Sequence, residues 1–220
     1  MSAAEQEHTT MDRAPGQGTV PELPEPLPLR KRQQLRTRQD LVRATIDIID
    51  AAGAKTATID RITVRAGTSR ATLYAHFPGG RTDLMSEAYR TIGQDLIDAA
   101  ERDAAGQDDW IEKLCAYPRA MLDLAARREL SLFYNVSGPQ HFGIGRRRGS
   151  ASKHTLDTFV RELRNEQDKG GLRAELDIEA IAGLLIGAIR EAGIDASRDP
   201  GTAPRNLSAF RQLLEALAGR

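Results

Sequence analysis

The residues from Thr58 to Phe77, TIDRITVRAGTSRATLYAHF, are the part of this chain whose side chains have the most recognisable chemistry. Hydroxyl groups, an arginine, a tyrosine and a histidine avoid the apolar positions Leu73 and Phe77, which recur at helical spacing. A guanidinium can donate two hydrogen bonds to a guanine edge, and hydroxyl groups suit phosphate oxygens. The pattern therefore predicts a helix face that contacts double-stranded DNA.

Two short helices on either side of Ala66-Gly67 are needed to present this face. Thr58 is a good N-cap for the first helix, and Thr68 or Ser69 for the second. Gly67 marks the break between them. This order of elements is a helix-turn-helix, which places its second helix in the DNA major groove.

The candidate DNA contacts divide by their chemistry. Arg70 lies near the start of the second helix, where recognition helices read bases, so we expect it to bind a guanine edge. Ala71 and Thr72 could touch a thymine methyl group, and the other polar groups and the amides at the helix starts suit phosphates. The predicted contacts are Thr58, Thr68, Ser69, Arg70, Ala71, Thr72, Tyr74 and His76.

The formal net charge of zero hides a strong asymmetry. Residues 30–81 contain 11 Lys/Arg and 4 Asp/Glu, so the remaining residues carry the compensating negative charge. Such a basic block predicts a polyanionic partner, with a merely solvated helical face as the alternative. The run RKRQQLRTR opens the block. We expect it to precede the first helix as a flexible arm that contacts DNA through Arg36 and Thr37, and a solubilising leader is the alternative.

The rest of the chain predicts an all-α fold of about nine helices. The spacing of apolar residues predicts helices over about residues 36–52, 82–105, 109–125, 152–169, 178–194 and 204–218, besides the helix-turn-helix. The proline-rich residues 1–29 read as a disordered tail. The predicted domains are that tail, a DNA-binding domain over 30–81 and a helical effector-binding and dimerisation domain over 82–220.

Several other functions find no support in the sequence. No apolar run is long enough to span a membrane, and no secretory leader is readable, which suits a cytoplasmic protein. The single cysteine, Cys115, lies at apolar helical spacing and reads as a small buried side chain. We expect no catalytic residues, metal ligands or cofactor, because no motif for them is present.

The helix-turn-helix resembles the DNA-binding half of the tetracycline-repressor (TetR) family. The matching stretches are LVRATIDIIDAAG, TIDRI, RAGTSRATLYAHFP and RTDLM, and the TLYxHF ending is more specific than a generic helix-turn-helix. The resemblance implies an N-terminal DNA reader and a C-terminal domain for ligand binding and dimerisation. It also implies phosphate contacts at Thr58, Tyr74 and His76, and at Arg81, where the family carries a lysine.

The second half predicts a dimer interface. Residues 181–189 are apolar on nearly every side, so we expect them to be buried on nearly every side. With the last helix they could form a four-helix bundle across a two-fold axis, and a core helix within a monomer is the alternative. The interface candidates are Ile181, Gly183, Leu184, Gly187, Ala188, Phe210, Leu213, Leu214 and Leu217.

The second half also holds most of the aromatic residues, which could line an apolar effector pocket. Aromatic residues at helical spacing also occur simply as core, so both interpretations stay open. The pocket candidates are Trp110, Tyr117, Phe133, Tyr134, Asn135, His141 and Phe159.

Together these features predict a homodimeric repressor that binds a DNA operator and is released by a small, largely apolar effector. Two alternatives remain. One is a DNA-binding protein without an effector, and the other is a small-molecule binder or enzyme whose DNA reader has decayed.

Overall fold

The computed structural model describes residues 28–141 and 149–218, without the side chains of residues 140 and 141. This part of the chain is all-α and contains no strand. Nine of its α-helices have five or more residues, and none combines the length and apolar character needed to cross a membrane. The helices are α1 Leu29–Ala52, α2 Ile59–Arg65, α3 Arg70–His76, α4 Arg81–Ala104, α5 Trp110–Asp123, α6 Arg128–Leu132, α7 Gly138–His141, α8 Ser150–Asp168, α9 Ile178–Arg198 and α10 Ala203–Leu217.

The helix-turn-helix formed by α2 and α3, which we call the reader, begins each of its two short helices at a side-chain cap. The Thr58 side chain accepts from the Arg61 amide at 3.4 Å, and the Ser69 hydroxyl accepts from the Thr72 amide at 3.0 Å. Ser69, and not Thr68, is therefore the cap of α3. Gly67 has a φ of 62°, which lets the chain turn sharply between the helices. The predicted helix-turn-helix, with two short helices joined by a turn at Gly67, is therefore confirmed.

The prediction that α1 begins near residue 36 is wrong. The helix begins at Leu29, directly after Pro28, so the basic run is helical and not a flexible arm. Arginine, lysine, glutamine and leucine are all good helix formers, and no glycine or proline interrupts the run. The predicted contacts Arg36 and Thr37 therefore lie on a rigid extension of α1.

Other boundaries moved by a few residues. Helix α4 begins at Arg81 after Gly80, whose φ is 60°, one residue before the predicted start at 82. Helix α5 begins at Trp110, after its cap Asp109, and ends at Asp123, two residues before the predicted end. Between α6 and α7 the chain forms a π-helical segment, Phe133–Ser137.

Two hydrophobic cores hold the fold together. The first core joins α1, α2, α3 and the first half of α4 with Leu124, Leu130 and Phe133. The second core joins α5, α8, α9 and α10 with Ala100, near the end of α4. Helix α4 therefore belongs to both cores.

Cys115 lies in the second core with no exposed surface. Burial raises the pKa of its thiol to about 11, because the apolar surroundings disfavour the thiolate. The thiol is therefore a buried apolar group at neutral pH.

A matched pair of leucines on α1 tests which face of this helix packs inward. Leu41 is fully buried in the first core, and Leu35 is 44% exposed. We expect Leu41→Ala to lower the free energy of unfolding by about 2–5 kcal/mol. Leu35→Ala should change it by less than about 0.5 kcal/mol. Chemical denaturation of both variants measures the difference, and equal effects would contradict this orientation of α1.

Candidate nucleic-acid interface and ligand cavity

Helix α3 is anchored by one face and leaves the other open. Leu73 has no exposed surface and Phe77 is 1% exposed, so both fix the helix to the first core. The polar residues of the predicted reading face lie on the other side. Ser69, Arg70, Ala71 and Tyr74 are exposed, and Thr68, Thr72 and His76 are partly exposed.

The Arg70 side chain lies outside the protein, paired with a carboxylate of α2. Its Nε donates to Asp60 Oδ1 at 2.7 Å, and both side chains are more than 60% exposed. An exposed ion pair of this kind contributes little stability, so a stronger partner can displace it. Asp60 was not predicted to matter, and nothing in the sequence pattern marks it.

Tyr74 is held against the loop that follows α3. A Cβ atom on Gly80 would lie 3.0 Å from Tyr74 Cε1, so the ring packs directly over this glycine. The tyrosine remains 49% exposed. The missing side chain at Gly80 therefore lets Tyr74 lie flat while keeping half of its surface open.

The Arg81 guanidinium turns back into the protein, where the family resemblance implies a phosphate contact. Its Nε donates to the Ala57 carbonyl at 2.8 Å, and Nη2 donates to the Ala54 carbonyl at 2.7 Å. These bonds tie the first residue of α4 to the segment before α2. Arg81 is thus engaged as a structural clamp.

Arg38 is a second clamp, and the sequence analysis missed it. Its Nη1 donates to the His76 carbonyl at 2.9 Å, and Nη2 pairs with Glu87 at 2.9 Å. The guanidinium also lies over the Phe77 ring, 4.1 Å from its centroid. Arg38 therefore joins α1, the end of α3 and α4. It was hidden among the other arginines of the basic run.

A cavity of about 620 Å³ lies between α4, α5, the π-helical segment, α8 and α9. Three predicted pocket residues, Tyr117, Tyr134 and Asn135, line it. Trp110, Phe133 and Phe159 do not, because they are packed into the two cores. The side chain of His141 lies outside the described residues. Tyr89 and Arg190 line the cavity and were not predicted.

The wall of the cavity near α4 is aromatic. The rings of Tyr89 and Tyr134 stack with centroids 4.8 Å apart and an angle of 21° between their planes. Burial raises the pKa of both phenols, and the nearby Arg190 opposes this shift at Tyr89. Both tyrosines are therefore neutral around pH 7.

A buried polar cluster lies at the π-helical side of the cavity. Asn135 is 5% exposed, and its Nδ2 donates to the Gly193 carbonyl at 3.3 Å and to the Ser197 hydroxyl at 3.1 Å. The Ser131 hydroxyl is bonded to that of Ser197 at 2.7 Å. Since a carbonyl only accepts, the bond to Gly193 fixes which end of the amide is the donor.

Only some of the residues predicted to form the dimer interface are exposed on the surface of the chain. Leu184 is 74% exposed and Leu213 is 52% exposed, whereas Phe210 and Leu214 are buried in the chain's own second core. Gly183 and Gly187 line the cavity. The remaining candidates, Ile181, Ala188 and Leu217, are partly buried against the second core. Helix α9 thus has one face toward the core and cavity and another face open.

The sequence of the reader matches a known family. The sequence of residues 41–88 matches the family described as bacterial regulatory proteins, tetR family. The HTH-type transcriptional regulator BetI 1 of Chromohalobacter salexigens is 36% identical over 117 residues, which cover 50% of this chain and 57% of that relative. SrpR of Pseudomonas putida, an HTH-type transcriptional regulator, is 27% identical over 157 residues, 70% of this chain and 71% of SrpR.

The likeness of fold extends over most of the chain. A TetR-family transcriptional regulator from Pectobacterium atrosepticum superimposes with a TM-score of 0.71 at 22% identity, covering 85% of this chain and 96% of that structure. The chain thus has the fold of these helix-turn-helix proteins. Residues 41–88 are similar to the tetR family of bacterial regulatory proteins, and the described chain shares the fold of a TetR-family structure.

The Arg81 clamp gives a stability prediction. Arg81→Ala removes the donor of the Ala57 carbonyl and leaves the Ala54 carbonyl only its 3.4 Å bond from the Ala57 amide, so we expect the free energy of unfolding to fall by about 1–3 kcal/mol. Arg61→Ala, at an exposed position of α2, is the matched control and should change it by less than about 0.5 kcal/mol. Denaturation curves in the absence of DNA measure both effects. Equal stability of the two variants would mean that Arg81 does not act as a clamp.

Proposed function

We propose that this protein is a sequence-specific, DNA-binding transcriptional regulator that acts as a homodimeric repressor. The observation that carries the proposal is the exposed Arg70 face of α3, opposite the buried anchors Leu73 and Phe77. A short helix held in this way can enter the major groove with its polar side foremost. An operator as partner implies action in the cytoplasm, and no catalytic role is part of the proposal.

The open face of α9 and α10 supports the dimer. Leu184 and Leu213 are large apolar side chains with most of their surface exposed. A second copy of the chain would cover both through a two-fold interface, with the same residues on each side. Such a dimer presents two α3 helices, and successive major-groove faces are about 34–36 Å apart.

The cavity supports regulation by a small effector. It borders α4 between Tyr89 and Ile97, in the middle of the helix whose first residue clamps the reader. A ligand that fills the cavity better when α4 is tilted shifts the equilibrium toward that tilt and separates the two α3 helices. Coupling between such sites is typically about 1–3 kcal/mol.

Two rival functions remain distinguishable. An effector-independent DNA-binding protein would bind random and genomic DNA with similar affinity at low salt. A small-molecule binder or enzyme with a decayed reader would show no DNA binding that depends on α3. The exposed Arg70 and the cavity beside α4 favour the regulator over both.

Arg70→Ala tests direct base reading. Operator fragments are first selected from the source genome by binding to the wild-type protein. Because a bidentate arginine–guanine contact contributes about 1–3 kcal/mol of discrimination, we expect the variant to lose most preference for these fragments over scrambled DNA. Fluorescence anisotropy measures the two affinities.

The control for this experiment is Arg173→Ala, which removes an exposed arginine far along the chain from the reader. It should keep the preference of the wild-type protein. If Arg70→Ala discriminates as well as the wild type does, direct reading by Arg70 is wrong.

The dimer is tested by placing a charge on the open face. Leu184→Glu would bury a carboxylate in the proposed interface, so we expect the variant to be monomeric at concentrations where the wild type is dimeric. Leu35→Glu, at an exposed leucine of α1, should leave the dimer intact. Light scattering after size-exclusion chromatography gives the masses. A wild-type monomer, or a dimeric Leu184→Glu protein, would contradict the interface.

A further inference from the structure

The cavity beside α4 carries an unusual balance of charge. Two guanidinium groups, Arg90 and Arg190, line it, and no aspartate or glutamate does among the residues described. Both arginines are exposed, so they lie where the cavity opens to solvent. Arg90 is paired with Glu87, whereas no ion pair within residues 28–141 and 149–218 involves Arg190.

The start of α8 adds to this positive field. Gly149, Ser150, Ala151 and Ser152 all line the cavity, and no side chain caps the helix there. The first turn contains no acidic residue. Its free amide groups and the helix dipole therefore favour a negative charge at this point. A Cβ on Gly93 would lie 3.0 Å from the Ala151 side chain, which places the helix start one turn along α4 from Arg90.

A second polar group, Asn135, lines the cavity on the side of the π-helical segment. Asn135 is 5% exposed and lines the cavity, and three acceptors, on Ser131, Ser197 and Gly193, surround the two N–H groups of its amide. In the described part of the chain nothing donates to its Oδ1. This oxygen retains solvent-accessible surface, since it is not among the sealed polar atoms without a partner. An accessible acceptor in an otherwise buried side chain favours a ligand that can donate a hydrogen bond to it.

Between these two polar regions the wall is apolar and aromatic. The stacked Tyr89 and Tyr134 rings form one side, and Leu96, Ile97 and Ile186 form much of the rest. Asn135 bonds to α9 at Gly193, about one helical turn beyond Arg190. A molecule with one ring and a short side chain can therefore reach from the arginine to the amide.

We propose that the ligand of this cavity is a hydroxylated aromatic carboxylic acid. Its carboxylate pairs with Arg190 and the start of α8, its ring lies against Tyr89 and Tyr134, and its hydroxyl donates to Asn135 Oδ1. The role of this acid as an effector rests on the proposed function. The binding site itself stands on the groups described here.

The test uses isothermal titration calorimetry on the full chain with matched probes. The acids are para-hydroxybenzoate, para-hydroxyphenylacetate and para-hydroxyphenylpropanoate. Phenylpropanoate lacks the hydroxyl, para-hydroxyphenylpropanamide lacks the charge, and tyramine reverses it. We expect at least one hydroxylated acid to bind, and the amide and tyramine to bind roughly tenfold to a hundredfold more weakly than the best acid. Loss of the hydroxyl should weaken binding by a similar factor, because Asn135 is left without its donor.

Substitutions at Arg190, Arg198 and Ser152 test which groups of the protein bind the carboxylate of the ligand. Arg190→Met should weaken the best acid roughly tenfold to a hundredfold and leave the amide unchanged. Arg198→Met, on the same helix but away from the cavity, is the matched control and should bind as the wild type does. Ser152→Asp places a negative charge in the first turn of α8, where it favours the helix but repels the acid. It should weaken acid binding several-fold relative to the neutral Ser152→Asn, so unfolding cannot explain the loss.

The inference is overturned if no acid binds, if the amide or tyramine binds as tightly as the acids, or if Arg190→Met leaves acid affinity unchanged. A separate measurement adds the best acid to the wild-type protein on its selected DNA fragments. Acid binding without DNA release would leave the ligand site standing and contradict the proposed regulation. Absence of DNA binding altogether would contradict the proposed function alone.

Discussion

Helix α4 is the constraint on which the other parts of the molecule depend. Its 24 residues contribute to both hydrophobic cores and form one wall of the cavity. At about 1.5 Å per residue it is roughly 36 Å long, and it contains no proline that would let it bend. A change of packing at Tyr89 or Ile97 is therefore carried along the rod more readily than it is absorbed within it.

The hydrogen bonds of Arg81 and Arg38 determine which parts of the protein move together with α4. Arg81 bonds to the carbonyls before α2, and Arg38 bonds to the end of α3 and to Glu87 on α4. Each guanidinium thus joins the rod to one side of the reader. Since α3 has only seven residues and would not be stable alone, its position follows from these bonds and from Leu73 and Phe77.

Local signals made the reader predictable and left the cavity unpredictable. The caps Thr58 and Ser69 and the turn at Gly67 act within a few residues, so their effect can be read from the chain. The same local logic predicts the helical basic run, whose residues are good helix formers. The expectation of a flexible arm relied on the positive charge of this run and neglected the helix propensity of its residues.

The lining of the cavity depends instead on contacts between distant segments. Phe133 and Tyr134 are neighbours in sequence, yet one is core and the other forms the cavity wall, because the π-helical segment directs them to different sides. The importance of Asp60 and Arg38 has the same origin. Their partners lie 10 or more residues away, at distances only the folded chain defines.

The charge at the cavity qualifies the expectation of a largely apolar effector. Composition alone shows aromatic residues in the second half and suggests an apolar ligand, and the Tyr89–Tyr134 wall agrees with this. Arg190 is different, since an exposed guanidinium at the edge of an apolar wall favours an anion that also contacts the wall. An entirely apolar ligand would offer neither an anion to Arg190 nor a donor to Asn135 Oδ1. The cavity therefore favours a molecule that is apolar along its length and polar at both ends.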